Sequence, residues 1–192
     1  MLHRKAEKKI NLWIEKSDRA LLVSGARQVG KTWIIRECLT NAKCDYIEIN
    51  LIEEPEYISL LAGASTVDDL MLGLSVAKNH RFTKKKTIIF IDEVQEIPDL
   101  VTRIKFWVDE GSFRYILSGS LLGIELMSLR SAPVGYMDEI KMYPMDYEEF
   151  LDASGVIGDT VSYLRKCYET GSQVENIVHD KMLKLCKRYL IV

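Results

Sequence analysis

Apolar positions recur along the chain with two periods, one near 3.6 residues and one near two. Leu2, Ala6, Ile10, Trp13 and Ile14 fall at helical spacing with Lys and Glu opposite them, which predicts a first helix over Leu2 to Lys16. Ala20 to Ser24 is a short buried-strand pattern that runs into Gly25. Thr32 to Leu39 reads as helix, and Tyr46 to Asn50 alternates like a strand. Thr66-Val67-Asp68-Asp69 resembles a capping box and opens a helix to about Lys78. Thr87 to Ile91 is continuously apolar, as in the middle of a parallel sheet. Pro98 to Glu110 is amphipathic, with Leu100, Val101, Ile104, Trp107 and Val108 on one face. Arg114 to Ser118 predicts a strand, Leu121 to Leu129 a helix and Asp138 to Met142 a fifth strand. Strands that alternate with helices predict an α/β class with a mainly parallel sheet.

Pro144 ends this series, and Asp146 to Ala153 reopens a helix. Gly155 to Gly158 is the best break in the chain. Beyond it, Thr160 to Thr170 and Val174 to Leu190 predict two helices with no strand between them. The expected organisation is one α/β domain over residues 1–153 and a helical extension over 154–192. The last four residues, Tyr189-Leu190-Ile191-Val192, are apolar, so the chain reads as cut inside a structural element.

Composition adds little until it is resolved along the chain. Hydrophobic residues are 47% and charged residues 28% of 192, ordinary for a globular protein, so global disorder is excluded. The net charge of −2 averages two unequal segments. Residues 1–36 hold nine Lys or Arg against three acids, and residues 137–160 hold one against seven. The basic start can face phosphate. The longest apolar runs are four residues, as in Ile88 to Ile91, which excludes a membrane-spanning helix. The N-terminus is too charged for a signal peptide. Cys38, Cys44, Cys167 and Cys186 have no C-x-x-C spacing and read as reduced thiols of a cytoplasmic protein.

Gly25-Ala26-Arg27-Gln28-Val29-Gly30-Lys31-Thr32 fits G-x-x-x-x-G-K-[S/T], the P-loop or Walker A pattern, between a predicted strand and a predicted helix. Glycines let the backbone curl round a phosphate with its N–H groups inward, and the following helix aims its positive end at the same anion. Lys31 is expected on the β- and γ-phosphates of ATP and Thr32 on Mg²⁺. Trp33, the next residue, is placed with this nucleotide-binding segment, although a tryptophan at helical spacing is more often core.

Ile88-Ile89-Phe90-Ile91-Asp92-Glu93 delivers two carboxylates to the end of a buried strand, about 60 residues after the loop, as a Walker B element does. Asp92 is expected to organise Mg²⁺, and Glu93 to polarise the attacking water. Gln95 contacts phosphate or water, or is a solvated loop amide. Ser118-Gly119-Ser120 ends the next strand, and either serine is a candidate sensor of the γ-phosphate. A turn or helix cap is the plainer reading of those hydroxyls.

With these motifs, GARQVGKT, IIFIDEVQ, YILSGS and YPMDYEEFL, the chain resembles the prokaryotic AAA-type ATPases that join an N-terminal P-loop domain to a C-terminal domain of unknown function. The resemblance covers nearly the whole chain. It implies a three-layer α/β/α sandwich around a five-stranded sheet ordered 5-1-4-3-2, with a catalytic glutamate. One pair departs from the family. Gly135-Tyr136 stands where relatives usually carry Gly-Arg ahead of the fifth strand, an arginine suited to stabilise the transferring phosphoryl group. Arg130 and Arg27 are the alternatives, against readings as a solvated loop residue and a loop anchor.

The remaining features have plainer readings. Lys84-Lys85-Lys86 reads as a solvated turn, and Arg4, Lys5, Lys8 and Lys9 as a wet helix face. Trp13 and Trp107 read as core. His3, His80 and His179 share no metal-ligand spacing with the cysteines. The function expected is Mg-dependent ATP hydrolysis. The alternatives are a nucleotide-gated interaction module with little hydrolysis and, less well supported, a P-loop kinase. A protein partner and self-association are both open, while DNA has no motif behind it and no membrane partner is expected.

Overall fold

A computed structural model describes residues 3–64, 66–79, 81–97, 99–120, 135–156 and 158–191. The chain forms two compact units, Ala6–Tyr143 and Met1–Lys5 with Pro144–Val192. Sequence patterning places the boundary near residue 153, whereas the first compact unit ends at Tyr143.

The larger unit is built on β1 (Ala20–Gly25), β2 (Tyr46–Asn50), β3 (Ile88–Asp92), β4 (Arg114–Ser120) and β5 (Met137–Met142). All pairings are parallel and the order is β2-β3-β4-β1-β5, the expected order read from its other edge. Helix α1 (Lys5–Lys16) precedes β1, and α2 (Lys31–Asn41), α3 (Glu56–Gly63), α4 (Val67–Lys78) and α5 (Leu100–Glu110) connect successive strands from β1 to β4.

Strand side chains alternate between faces, and each face has its own core. Leu22, Ile49, Ile89, Ile91, Tyr115 and Leu117 pack with α3, α4 and α5. Leu21, Val23, Ile88, Phe90, Ile116 and Ile140 pack with Ile10 and Trp13 of α1 and with Ile34, Ile35, Cys38 and Leu39 of α2. This is the three-layer sandwich. Each Ile or Leu so buried contributes about 1.5–3 kcal/mol.

Local chemistry sets the helix ends. The Asp69 N–H donates to the Thr66 hydroxyl at 3.1 Å, the expected cap of α4. Asn79 (φ 48°) ends that helix, and Gly111 (φ 74°) ends α5 in the left-handed region. Helix α3 escapes the sequence pattern because it is short and has no side-chain cap. Arg103 of α5 compensates by donating to the carbonyls of Ala62 (2.6 Å) and Ala64 (2.7 Å). The helix expected over Leu121 to Leu129 lies outside the described residues, as do Leu2, His80 and Arg130.

In the smaller unit are α6 (Tyr147–Ala153), α7 (Gly158–Thr170) and α8 (Asn176–Tyr189). Asp146 and Glu149 form a reciprocal capping box at the start of α6. Tyr147, Phe150 and Tyr189 pack their rings together, with centroids 5.4–6.3 Å apart. Tyr147 and Tyr189 also donate their hydroxyls to the Met182 and Met145 carbonyls, both at 3.0 Å. All four cysteines are free thiols, and burial pushes the Cys38 thiol up to about 12.

Candidate nucleotide-binding site

Parallel pairing brings the carboxyl ends of β3, β4 and β1 to one edge of the sheet. Val23 lies opposite Ser118, and Gly25 opposite Ser120. Ile91 pairs with Leu117, so Asp92 emerges beside Ser118. The sequence-predicted residues from three separate segments therefore meet at this edge.

After β1 the chain turns through Ala26 to Gly30 and enters α2. Gln28 (φ 65°) and Gly30 (φ 89°) are both left-handed, the alternation that turns successive N–H groups toward one side. Gly25 also meets a packing need. A Cβ there would stand 2.2 Å from the Met142 carbonyl oxygen, so the closeness of β5 excludes a side chain. Helix α2 opens at Gly30 with no side-chain cap, which leaves its first N–H groups without a side-chain acceptor.

Lys31 is buried at the base of the loop. Its Nζ donates to the carbonyls of Gly25 (3.1 Å) and Ala26 (2.8 Å). An ammonium has three protons, so a third donor is left for an anion. Burial pulls its pKa below the usual lysine value, Arg27 adds to this, and the fields of Glu93 and Asp92 oppose it.

Asp92 is 1% exposed. Its carboxylate accepts from the Thr32 hydroxyl (2.7 Å), the Glu93 N–H (3.0 Å) and the Ser118 hydroxyl. No lysine or arginine among the described residues forms an ion pair with it. Nor do three or more His, Cys, Asp or Glu side chains gather anywhere among the described residues as a metal-binding group. One buried carboxylate joined to one hydroxyl is instead the donor set that suits Mg²⁺, which keeps several waters and takes its remaining oxygens from phosphate. The residues present thus fit the ion that the motif implies.

Glu93 follows in a left-handed conformation (φ 59°), unusual for a glutamate, which turns the chain out of the sheet. Val94–Glu96 form a 3₁₀ turn behind it. Gln95, read from the sequence as a phosphate or water contact or a solvated loop amide, donates from Nε2 to Glu93 Oε2 at 2.5 Å. Its Oε1 accepts from the Ser120 N–H at 3.1 Å. The two candidate serines separate here, with Ser118 buried against Asp92 and Ser120 half-exposed at the strand tip.

Trp33 corrects the expectation of a core tryptophan, because it is 42% exposed. The buried face of α2 runs through Ile34, Ile35, Cys38 and Leu39, and Trp33 falls outside that face. Trp13 and Trp107 are buried as expected. Arg27 is exposed. The Tyr136 carbonyl accepts from the Ala20 N–H at 2.9 Å, so this departing pair starts the β1–β5 ladder. Lys84 to Lys86 form an exposed turn.

The profile of the AAA domain family matches residues 17–151, more than two thirds of the chain. The chain belongs to the AAA domain family. No curated protein sequence matches it significantly. Among solved structures, this AAA domain is similar in fold to the Aeropyrum pernix Orc1 protein, determined in complex with DNA. The TM-score is 0.52 at 19% identity, over 79% of this chain and 48% of that one. The chain thus spans about half the length of that protein. Among the described residues, no helix is long and apolar enough to cross a membrane.

Proposed function

We propose that this AAA domain binds ATP with Mg²⁺ at the Gly25–Thr32 loop and hydrolyses it. The observation that carries the reading is Asp92, a buried carboxylate that touches Thr32 and Ser118 hydroxyls and has no cationic partner among the described residues. Mg²⁺, when bound, would neutralise phosphate charge. The loop N–H groups and Lys31 bind and orient the phosphates, with Gly25, Ala26, Arg27, Gln28, Val29 and Gly30 supplying the cradle. Thr32 and Asp92 hold the metal, and Ser118 holds Asp92. Glu93 accepts the proton of the attacking water as that water's oxygen bonds to the γ-phosphorus and ADP leaves. Ser120, at the strand tip, senses the γ-phosphate, and Trp33 flanks the nucleotide segment.

A second reading is a nucleotide-gated interaction module with little turnover. It is favoured by Tyr136, which stands at a position where an arginine would stabilise transferring charge. Phosphate release and nucleotide affinity, measured for wild type, Lys31→Ala and Glu93→Gln, decide between the readings. Loss of the Lys31 charge is expected to weaken nucleotide binding by about 1.5–3 kcal/mol, roughly ten- to a hundredfold. Unchanged affinity in that variant would refute the loop assignment. Tight binding by wild type without phosphate release would favour the gated module.

A further inference from the structure

The β3–β4 ladder ends at the pair Ile91 and Leu117. Beyond it the two chains part, one into the turn at Glu93 and the other on to Ser120. Gln95 spans that gap with its side chain. The Ser120 N–H can only donate, and the Glu93 carboxylate, when ionised, can only accept. The amide orientation is therefore fixed, with its oxygen on Ser120 (3.1 Å) and its nitrogen on Glu93 (2.5 Å).

Few side chains satisfy both ends. Glutamate would set acceptor against acceptor at Glu93. Lysine would donate to Glu93 but has nothing to accept from Ser120. Asparagine is one methylene short. The backbone beneath Gln95 is also held. Val94 is fully buried, and the N–H groups of Glu96 and Ile97 close the turn onto Glu93 and Val94 at 3.1 Å each. A half-buried amide on a pinned turn has little freedom, so it fixes the direction of the carboxylate that it touches.

We infer that Gln95 is a positioning residue: it ties the Glu93 carboxylate to the tip of β4, so that the strand tip and the base move together. This inference rests on the proposed role of Glu93. When the β4 tip meets a γ-phosphate, the shift reaches Glu93 through one amide group. Glu93 is thereby aimed when a triphosphate is present and released from that aim when the tip relaxes.

The test uses the full chain with Gln95→Ala, Gln95→Glu, Glu93→Ala and Glu93→Gln. Gln95→Ala is expected to lower kcat about ten- to a hundredfold, with nucleotide Kd within about twofold of wild type. Gln95→Glu keeps the reach but sets a second acceptor against the Glu93 carboxylate, so it is expected to lower kcat at least as far, with nucleotide Kd again little changed. A residue that only supported the fold would tolerate the near-isosteric glutamate and keep kcat near wild type in that variant. Amide exchange at Ser120, read by NMR, needs no turnover. It is expected to quicken in Gln95→Ala and also in Glu93→Ala, where Gln95 loses its second anchor. Ser120 exchange unchanged in Glu93→Ala would overturn the link. So would a kcat for Gln95→Ala within about twofold of wild type while Glu93→Gln is impaired. Absence of turnover in wild type, with Ser120 exchange still responding to Glu93→Ala, would refute the hydrolytic reading and keep the link.

Discussion

Asp92 and Glu149 are both buried carboxylates, and the chain surrounds them in opposite ways. Glu149 accepts the Lys5 N–H at 2.6 Å and the Asp146 N–H at 3.0 Å, and pairs with Arg4 at 3.2 Å. It closes the capping box of α6 and also takes an orphan N–H at the start of α1. Its charge is answered within the chain. The carboxylate of Asp92 touches hydroxyls and one N–H, and no cation of the described residues pairs with it. A buried charge with its counter-ion in place holds structure. One that lacks it is complete only when a cation arrives, at a cost to the empty fold.

Variants can break this contrast at either end, and the largest expected effect is at Glu149. Glu149→Ala removes the carboxylate that pairs with buried Arg4 and closes the capping box, so unfolding free energy should fall by about 3–5 kcal/mol. Denaturant titration would show it, and a loss below about 1 kcal/mol would place Glu149 with the weak surface pairs.

The metal side should respond through ligand linkage. A Mg-nucleotide complex at about a hundredfold over its Kd should stabilise wild type by about 2.7 kcal/mol. Asp92→Asn should lose most of the Mg²⁺-dependent part of that gain, read as the shift in Tm with and without the metal. An equal shift in both proteins would remove Asp92 from the metal site.

Without ligand, the same substitution should be neutral or raise stability by about 1 kcal/mol, opposite in sign to Glu149→Ala. The Asn amide can donate to Thr32, whose hydroxyl rotates to accept, while its oxygen keeps the Ser118 and Glu93 donors. Strong destabilisation would show that the charge of Asp92 is structural.

The smallest effect belongs to the exposed rim of the Glu149 cluster. Lys5 Nζ lies 2.6 Å from Asp146 and 2.8 Å from Glu148. The Lys5 hydrogen bond holds the Glu148 pKa below its usual value. Burial pushes Asp146 upward, but the Lys5 contact and the backbone N–H groups outweigh it and hold it low. Depressed carboxylates contribute stability above their unfolded values, about 3.9 and 4.3, and lose it as pH falls through the lower folded values. Lys5→Ala should therefore cost under about 1 kcal/mol at neutral pH. The difference from wild type should vanish in acid, which urea titration at pH 7 and pH 2 would test.

Much of the fold was legible because each signal was local. β2 is Tyr46–Asn50, as its alternation predicts, and β3 lies within one residue of its apolar run. Helix α3 was not legible, because its C-terminal carbonyls are satisfied by Arg103, about 40 residues away. At the site, the residue types of the phosphate loop and the Asp92-Glu93 pair were readable from spacing. The left-handed backbone of Gln28 and Glu93 was not, since neither residue type signals it. Gln95 could be seen in the D-E-V-Q string but not interpreted, because its second partner, Ser120, comes from another strand.

By itself the sequence determined the class of the fold, the residue types of the Gly25–Thr32 loop and the identity of the acidic pair. Periodicity and motif spacing are properties of short segments, so they can be read without knowing what those segments touch. Tertiary structure alone decided which carboxylate has a counter-ion, which serine faces Asp92, and why Gly25 can carry no side chain. It also placed Gln95 between two strands. Each of these depends on distances between residues far apart in the chain, and packing, not local pattern, sets those distances.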